Sequence, residues 1–154
     1  MRALRNILGD FLFQFRIRGA LLARLHCVAV YYAAYLSQRL RSLSQDDARM
    51  RALVGMGRRG FARRPALIRF EDFDFETDVM AASFMPREFL LDRMYEAEEG
   101  FAARPGETVV DVGAHNGFFS LRSARRVGAR GRVVSIEPHP ENQRRLAANL
   151  ARNG

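Results

Sequence analysis

The sequence predicts an α/β fold organised around one strand, turn, helix, strand unit, with a basic helical segment ahead of it. Three observations carry that reading. A β-branched run, Thr108-Val-Val-Asp-Val112, leads into a turn with two glycines, Gly113-Ala-His-Asn-Gly117. Ser120, Leu121, Ala124 and Val127 then recur at helical spacing and stop at Gly128, a C′-type glycine. A second β-branched run, Val133-Val-Ser-Ile136, ends in an acidic residue, Glu137, about 20 residues beyond Gly117. A nucleotide-like cofactor is gripped by elements in this order.

In chain order, residues 1–43 form a basic amphipathic helical segment. Leu4, Ile7, Leu8, Phe11, Phe15, Leu22, Leu25, Tyr32 and Leu36 recur at helical spacing, with Arg2, Arg5 and Arg16 gathered opposite. Arg18 beside Gly19 breaks the stripe, which leaves one kinked helix or two helices. Arg16, Arg18, Arg24 and His26 interrupt the apolar run too often for a bilayer span. A signal peptide is not expected either, because the run starts late and has no small-x-small cleavage site. Two readings remain open: a helix lying on anionic lipid, or a helix covering the catalytic domain or a partner. All 25 basic residues are Arg. The first 64 residues hold 13 Arg against 3 acidic residues, whereas residues 65–154 hold 12 against 14, so the net +8 arises entirely in the N-terminal part.

Residues 44–64 read as an Arg/Gly-rich connector. Ser44-Gln-Asp-Asp47 offers an N-cap for a short helix through Ala52 or Leu53, and Gly55-Met-Gly-Arg-Arg-Gly60 breaks it. Arg58, Arg59, Arg63 and Arg64 around Phe61 predict a solvated basic linker, and nucleic acid is not expected as a partner.

Residues 65–100 lead into the core. Ala66-Leu-Ile-Arg-Phe70 is a short apolar strand, and Asp72-Phe-Asp-Phe-Glu76 alternates, which puts Phe73 and Phe75 on one face. The opposite face carries Asp72, Asp74 and Glu76 with Asp78 near. Without a glycine-bearing calcium loop these read as a solvated face, and no metal is expected. Pro86 to Glu99 reads as a helix with Phe89, Leu90, Met94 and Tyr95 inward and Arg87, Glu88, Asp92, Arg93 and Glu96 outward. An Arg104-Pro-Gly-Glu107 turn follows.

Residues 101–154 hold the cofactor unit, and its glycines decide between cofactors. A dinucleotide turn is G-x-G-x-x-G, whose middle glycine admits a pyrophosphate against the helix N-terminus. Here His115 stands in that place and Asp111 precedes the first glycine. A ligand with a sulfonium and an amino-acid end suits the turn better, with Asp111 attracting positive charge and the backbone around Gly113 holding an ammonium or carboxylate.

Asp111-Val-Gly-Ala-His-Asn-Gly117-Phe-Phe-Ser120, Glu137-Pro-His-Pro140 and Leu146-Ala-Ala-Asn149-Leu-Ala-Arg-Asn153-Gly154 together resemble the FkbM-type S-adenosylmethionine-dependent methyltransferases, over about residues 86 to 154. The resemblance implies a Rossmann-like class I methyltransferase fold, S-adenosylmethionine as cofactor, and methylation of a hydroxyl on a sugar, glycan or secondary metabolite. It implies a cofactor-binding set of Asp111, Gly113, Ala114, His115, Asn116, Gly117, Glu137 and Pro138. Asp111, Gly113 and Gly117 would line the methionine part, and Glu137 would bind the ribose. The family usually has Asn where His115 stands. Such domains run on for several strands that carry the adenine contacts and the acceptor pocket. The chain is therefore expected to be an incomplete domain, whose sheet needs a C-terminal half or a partner chain, and no catalytic residue is assigned.

Composition bounds the alternatives. An apolar fraction of 48% over 154 residues suits one domain with a core and excludes disorder. Cys27 stands alone, so nothing points to an oxidising compartment and a cytoplasmic, at most membrane-peripheral, location is expected. His26 reads as helix packing. His139 reads equally as a residue over the ribose or adenine and as a turn residue at a helix start. No Ser-His-Asp, Cys-x-x-Cys or His-x-x-x-His set supports hydrolysis or zinc chemistry. The competing readings are a nicotinamide-dependent oxidoreductase fragment, which should carry glycine at position 115, and a non-catalytic remnant acting through its Arg-rich N-terminus on membrane or nucleic acid.

Overall fold

The computed structural model describes residues 2–40, 44–90 and 102–154. It is a mixed α/β structure in which helices α1 (Arg2–Phe13), α2 (Leu21–Leu40) and α3 (Gln45–Gly57) precede an antiparallel hairpin, β1 (Pro65–Phe70) and β2 (Phe73–Asp78). Helix α4 (Val79–Leu90) follows. A parallel pair, β3 (Thr108–Val112) and β4 (Arg132–Ile136), is joined by helix α5 (Phe118–Val127), and helix α6 (Pro140–Asn153) ends the chain. The two sheets are two-stranded and separate.

The break near Arg18 separates two helices, and it has a tertiary cause. Arg18 pairs with Arg69 of β1 through both backbone bonds, 3.1 and 2.9 Å. Gly19 has φ +86°, and a Cβ there would run into the Leu67 carbonyl. Arg24, read as a charge interrupting an apolar run, is fully buried. Its guanidinium donates to the carbonyls of Gly19, Gln14 and Ile17 and to Gln14 Oε1, at 2.7–3.0 Å. It thereby ties together the turn between α1 and α2 through that turn's own carbonyls. Burial lowers its pKa to about 10.

The apolar stripe read from the sequence is not the buried face of α2. Leu22 and Leu36 are exposed, while Cys27, Val28, Tyr31 and Tyr35 are buried beside Arg24. This helix is apolar nearly all round, so periodicity alone left its facing undetermined. Cys27 is fully buried in the core, and that burial pushes its thiol pKa up, which disfavours the thiolate.

The Ser44 cap is present, its Oγ accepting the Asp47 N–H at 3.1 Å, but α3 runs through Gly55 to Gly57. Ala48, Ala52 and Met56 recur every four residues and are buried against α2. Arg58, Arg59, Arg63 and Arg64 are exposed as read, while the apolar side of the stretch is packed, with Ala62 buried and His26 edge-on to Phe61 at 4.7 Å. No described helix is long and apolar enough to cross a membrane.

The hairpin alternates as read. Ala66, Ile68 and Phe70 of β1 and Phe73, Phe75 and Thr77 of β2 face inward. The carboxylates opposite are not simply solvated, because Asp72, Asp74, Glu76 and Asp78 meet Arg125, Arg69, Arg152 and Arg145 at 3.0, 3.9, 3.2 and 3.7 Å. Each such surface pair contributes about 0–1 kcal/mol, so these orient α5 and α6 more than they stabilise. Among the described residues no group of His, Cys, Asp and Glu is placed to hold a metal ion.

Helix α4 begins at Val79, seven residues before the expected Pro86 start. Asp78 Oδ1 accepts the Ala81 N–H at 2.8 Å and caps it. Pro86 lies buried inside the helix, where its missing N–H leaves one turn unbonded. Residues 91–99 of the expected helix, with Asp92, Arg93, Met94, Tyr95 and Glu96, lie outside the described residues, as do the side chains of Glu88, Phe89 and Leu90.

The two parts of the molecule meet at Phe118. Its ring stacks on Phe75 at 4.0 Å and 11° and meets Phe70 edge-on at 5.9 Å. Helix α5 covers the Asp111 and Ser135 face of β3–β4. The opposite face is bare among the described residues: Val110, Ile136 and above all Val112, 76% exposed, point outward.

Candidate cofactor site

The turn between β3 and α5 is built by backbone geometry. Gly113 has φ +80°, and its N–H and that of Ala114 both donate to the Ile136 carbonyl, at 2.8 and 3.0 Å. The turn is thereby fastened to the end of β4. A Cβ on Gly113 would meet nothing within 4 Å, so the space over this residue is open to a ligand. Gly117, at φ +92°, serves a different purpose. A Cβ there would lie 2.7 Å from Leu146 Cδ1, so this glycine lets α6 pack against the turn.

His115 is a non-glycine residue at φ +52°. Its N–H donates to Glu137 Oε2 at 2.8 Å, and this bond across the turn sustains the unusual conformation. Glu137 Oε1 accepts the His139 N–H at 2.9 Å and Asn142 Nδ2 at 3.3 Å. These donors, the His139 and His115 N–H groups foremost, hold the Glu137 carboxyl below its ordinary pKa against the opposing effect of burial. A carboxylate offers about four acceptor positions, so about one is left for a ribose hydroxyl, or two if the long Asn142 bond gives way. His139 itself sits at the start of α6, with its side chain exposed. Pro138 is exposed beside it.

Asp111 is buried, and its Oδ2 accepts the Ser120 Oγ at 2.5 Å, with Ser135 Oγ 2.7 Å further along. The carboxylate thus lies under the turn, against the first turn of α5. Ala114 is buried. Asn116 is fully buried and ties the turn to the hairpin: its Nδ2 donates to Thr77 Oγ1, and its carbonyl accepts Asn149 Nδ2 at 2.8 Å. His115 Nδ1 and Asn116 Oδ1 are buried with no hydrogen-bond partner among the described residues.

The structure therefore brings Asp111, Gly113, His115 and Glu137 around one turn, while Ala114, Asn116 and Gly117 face the protein. It adds residues that the sequence reading did not assign. Thr77, from a strand 39 positions before Asn116, and Asn149 both brace the turn. Only Asn149 lay within a motif, and nothing local announced Thr77.

An open space over Gly113 and a carboxylate with remaining acceptor capacity fit a ligand with an ammonium and ribose hydroxyls. They fit a pyrophosphate less well, because the His115 N–H that would face it is committed to Glu137.

Residues 111–154 match the model of the Methyltransferase FkbM domain. The chain is 42% identical over 69 residues to the AMB antimetabolite synthetase AmbE of Pseudomonas aeruginosa, a match that covers 45% of this chain and 3% of that protein. It is 39% identical over 56 residues to the arsenite methyltransferase of Halobacterium salinarum, covering 36% of this chain and 14% of the relative. The chain thus spans only a small part of the curated relatives it matches. No solved structure matches. The turn, Glu137 and helix α6 fall inside the matched stretch, so the part of the chain that is similar to the methyltransferase FkbM domain is the part that builds this site.

Proposed function

We propose that this chain supplies the cofactor-binding part of an S-adenosylmethionine-dependent methyltransferase with a Rossmann-like class I fold. It would act in the cytoplasm on a hydroxyl of a sugar, glycan or secondary metabolite. The observation that carries the reading is the Gly113 turn, open above and locked to β4, with Glu137 bonded across it to the His115 N–H. When bound, S-adenosylmethionine supplies a methyl group activated by its sulfonium. Asp111, buried under the turn, contributes negative charge toward a cationic ligand, and Glu137 offers its remaining acceptor position to a ribose hydroxyl. Holding the acceptor oxygen in line with the methyl group accounts for most of such a reaction's barrier lowering, with about 7–11 kcal/mol available from orientation.

The acceptor pocket is completed, on this reading, by further strands beside β3 and β4, from more of the same polypeptide or from a partner chain. Val110, Val112 and Ile136, which no described residue covers, fit this, since the helices that join strands of a parallel sheet would pack on that face. Calorimetry with S-adenosylmethionine and with NAD tests the reading. S-adenosylmethionine should bind and NAD should not; NAD binding without S-adenosylmethionine binding overturns it.

A peripheral membrane contact is proposed as a second feature. Leu8, Leu12 and Phe15 stand exposed in a row on α1 and the turn after it, with Arg16 and Arg18 exposed beside them. The chain should co-sediment with anionic vesicles at low salt and be released at about 1 M salt, where screening shortens charge interactions to about 3 Å. Equal sedimentation with neutral vesicles, or none at low salt, removes this contact.

A further inference from the structure

Between α1, α2, α3 and α4, away from the glycine turn, lies a cavity of about 450 Å³. That volume falls within the range of small-molecule sites. Its wall is aromatic and already ordered. Tyr31 meets Tyr32 edge-on at 5.0 Å and Phe84 edge-on at 5.1 Å, and it stacks on Tyr35 at 6.4 Å and 15°. Leu53 and Ile7 add apolar surface.

The charges at the rim do not cancel. Asp10 accepts the Tyr32 hydroxyl and forms an ion pair with Arg87, so those two charges offset each other within the wall, although Arg87 Nε is left without a hydrogen-bond partner among the described residues. Arg49 also lines the cavity, exposed on α3, and no carboxylate among the described residues pairs with it. Its positive charge reaches the Tyr31 and Tyr32 hydroxyls, working against the upward push of burial on both. One unpaired planar guanidinium at the edge of an aromatic wall is matched by a ligand with one ring to pack and one carboxylate to bridge two N–H groups. A phosphate dianion would need more cationic donors, and a cation would meet Arg49.

The geometry points to this helical cavity as a binding site for a small aromatic carboxylate, with Arg49 holding the acid and the Tyr31–Tyr35 wall packing the ring. The site shares no residue with the glycine turn and does not rest on the methyltransferase reading.

Tyrosine emission reports it directly, because the chain has four tyrosines and no tryptophan, and three of the four line the cavity. The full chain is titrated with 3-phenylpropanoate and with the neutral 3-phenylpropanamide, with calorimetry in parallel. The carboxylate should give a saturable change and bind at least tenfold tighter than the amide. Arg49→Gln, an exposed change whose fold is checked by circular dichroism, should weaken the carboxylate at least tenfold and leave the amide unchanged. Tyr35→Ala should weaken both alike. Equal affinity for acid and amide, undiminished carboxylate binding by Arg49→Gln, or no saturable response by either method overturns the site. S-adenosylmethionine binding measured on Arg49→Gln should match the parent chain, which keeps this test separate from that of the glycine turn.

Discussion

The side chain of Asn149 pairs with the backbone of Glu76 as a neighbouring strand would: its Oδ1 accepts the Glu76 N–H at 2.8 Å and its Nδ2 donates to the Glu76 carbonyl at 2.9 Å. Asn153, one turn later on α6, does the same to Asp74, at 3.0 and 3.1 Å. Four residues of helix rise about 6 Å and two residues of strand about 6.8 Å, so amides spaced i, i+4 can match alternate residues of an edge strand. Helix α6 thus closes the free edge of β2, and the Arg18–Arg69 bridge occupies the edge of β1.

Replacing Asn149 with Leu should therefore destabilise the chain by about 2–4 kcal/mol, because the Glu76 N–H, the Glu76 carbonyl and the Asn116 carbonyl all lose a buried partner. Asn149→Asp should be nearly as damaging, since it keeps the acceptor but sets a carboxylate against two carbonyls. Urea unfolding measures both. A loss under about 0.5 kcal/mol would mean the edge bonds are replaced by water.

Arg24 should tolerate neither Met nor Lys. Met leaves the Ile17 carbonyl and Gln14 Oε1 without their donor in the interior and removes the bond to the Gly19 carbonyl, a loss of about 2–4 kcal/mol. Lys keeps the charge, but a single ammonium cannot reach acceptors spread over the guanidinium fork. Thermal unfolding of the two variants side by side checks this, and a Lys variant as stable as the parent would contradict it.

Gly113→Ala and Gly117→Ala should separate strain from crowding. Both put a Cβ at positive φ, worth roughly 1–2 kcal/mol. Only Gly117→Ala also strikes Leu146, so only its excess loss should be recovered by Leu146→Ala in a double-mutant cycle. Gly113→Ala should instead weaken S-adenosylmethionine binding in calorimetry while leaving the α6 packing intact.

Glu137 should make the turn sensitive to acid. Its folded pKa lies below the ordinary 4.5 because the His139 and His115 N–H groups favour the charged form. For a depressed carboxyl the stabilisation is complete above the ordinary value and disappears as pH falls through the folded one. Unfolding free energy should fall as pH drops below the ordinary 4.5, and Glu137→Gln should flatten that fall. An unchanged slope in the variant would remove Glu137 as the source.

What could be read from the residues alone was what neighbouring residues decide. Strand alternation placed Phe73 and Phe75 inward, Ser44 marked a helix start, Gly128 marked a helix end, and the Val-rich runs around Gly113 announced a parallel strand, helix, strand unit. These follow from backbone sterics and local hydrogen bonding, which act within a few residues. The tertiary structure decided the rest. It chose the buried face of α2, took Arg24 inside, moved the start of the Pro86 helix back to Val79 and gave the carboxylates of β2 arginine partners. It also joined Thr77 to Asn116 across 39 residues. Each of those outcomes depends on which group satisfies a buried polar atom or fills a particular volume. That group comes from a distant part of the chain, where composition and spacing carry no trace of it.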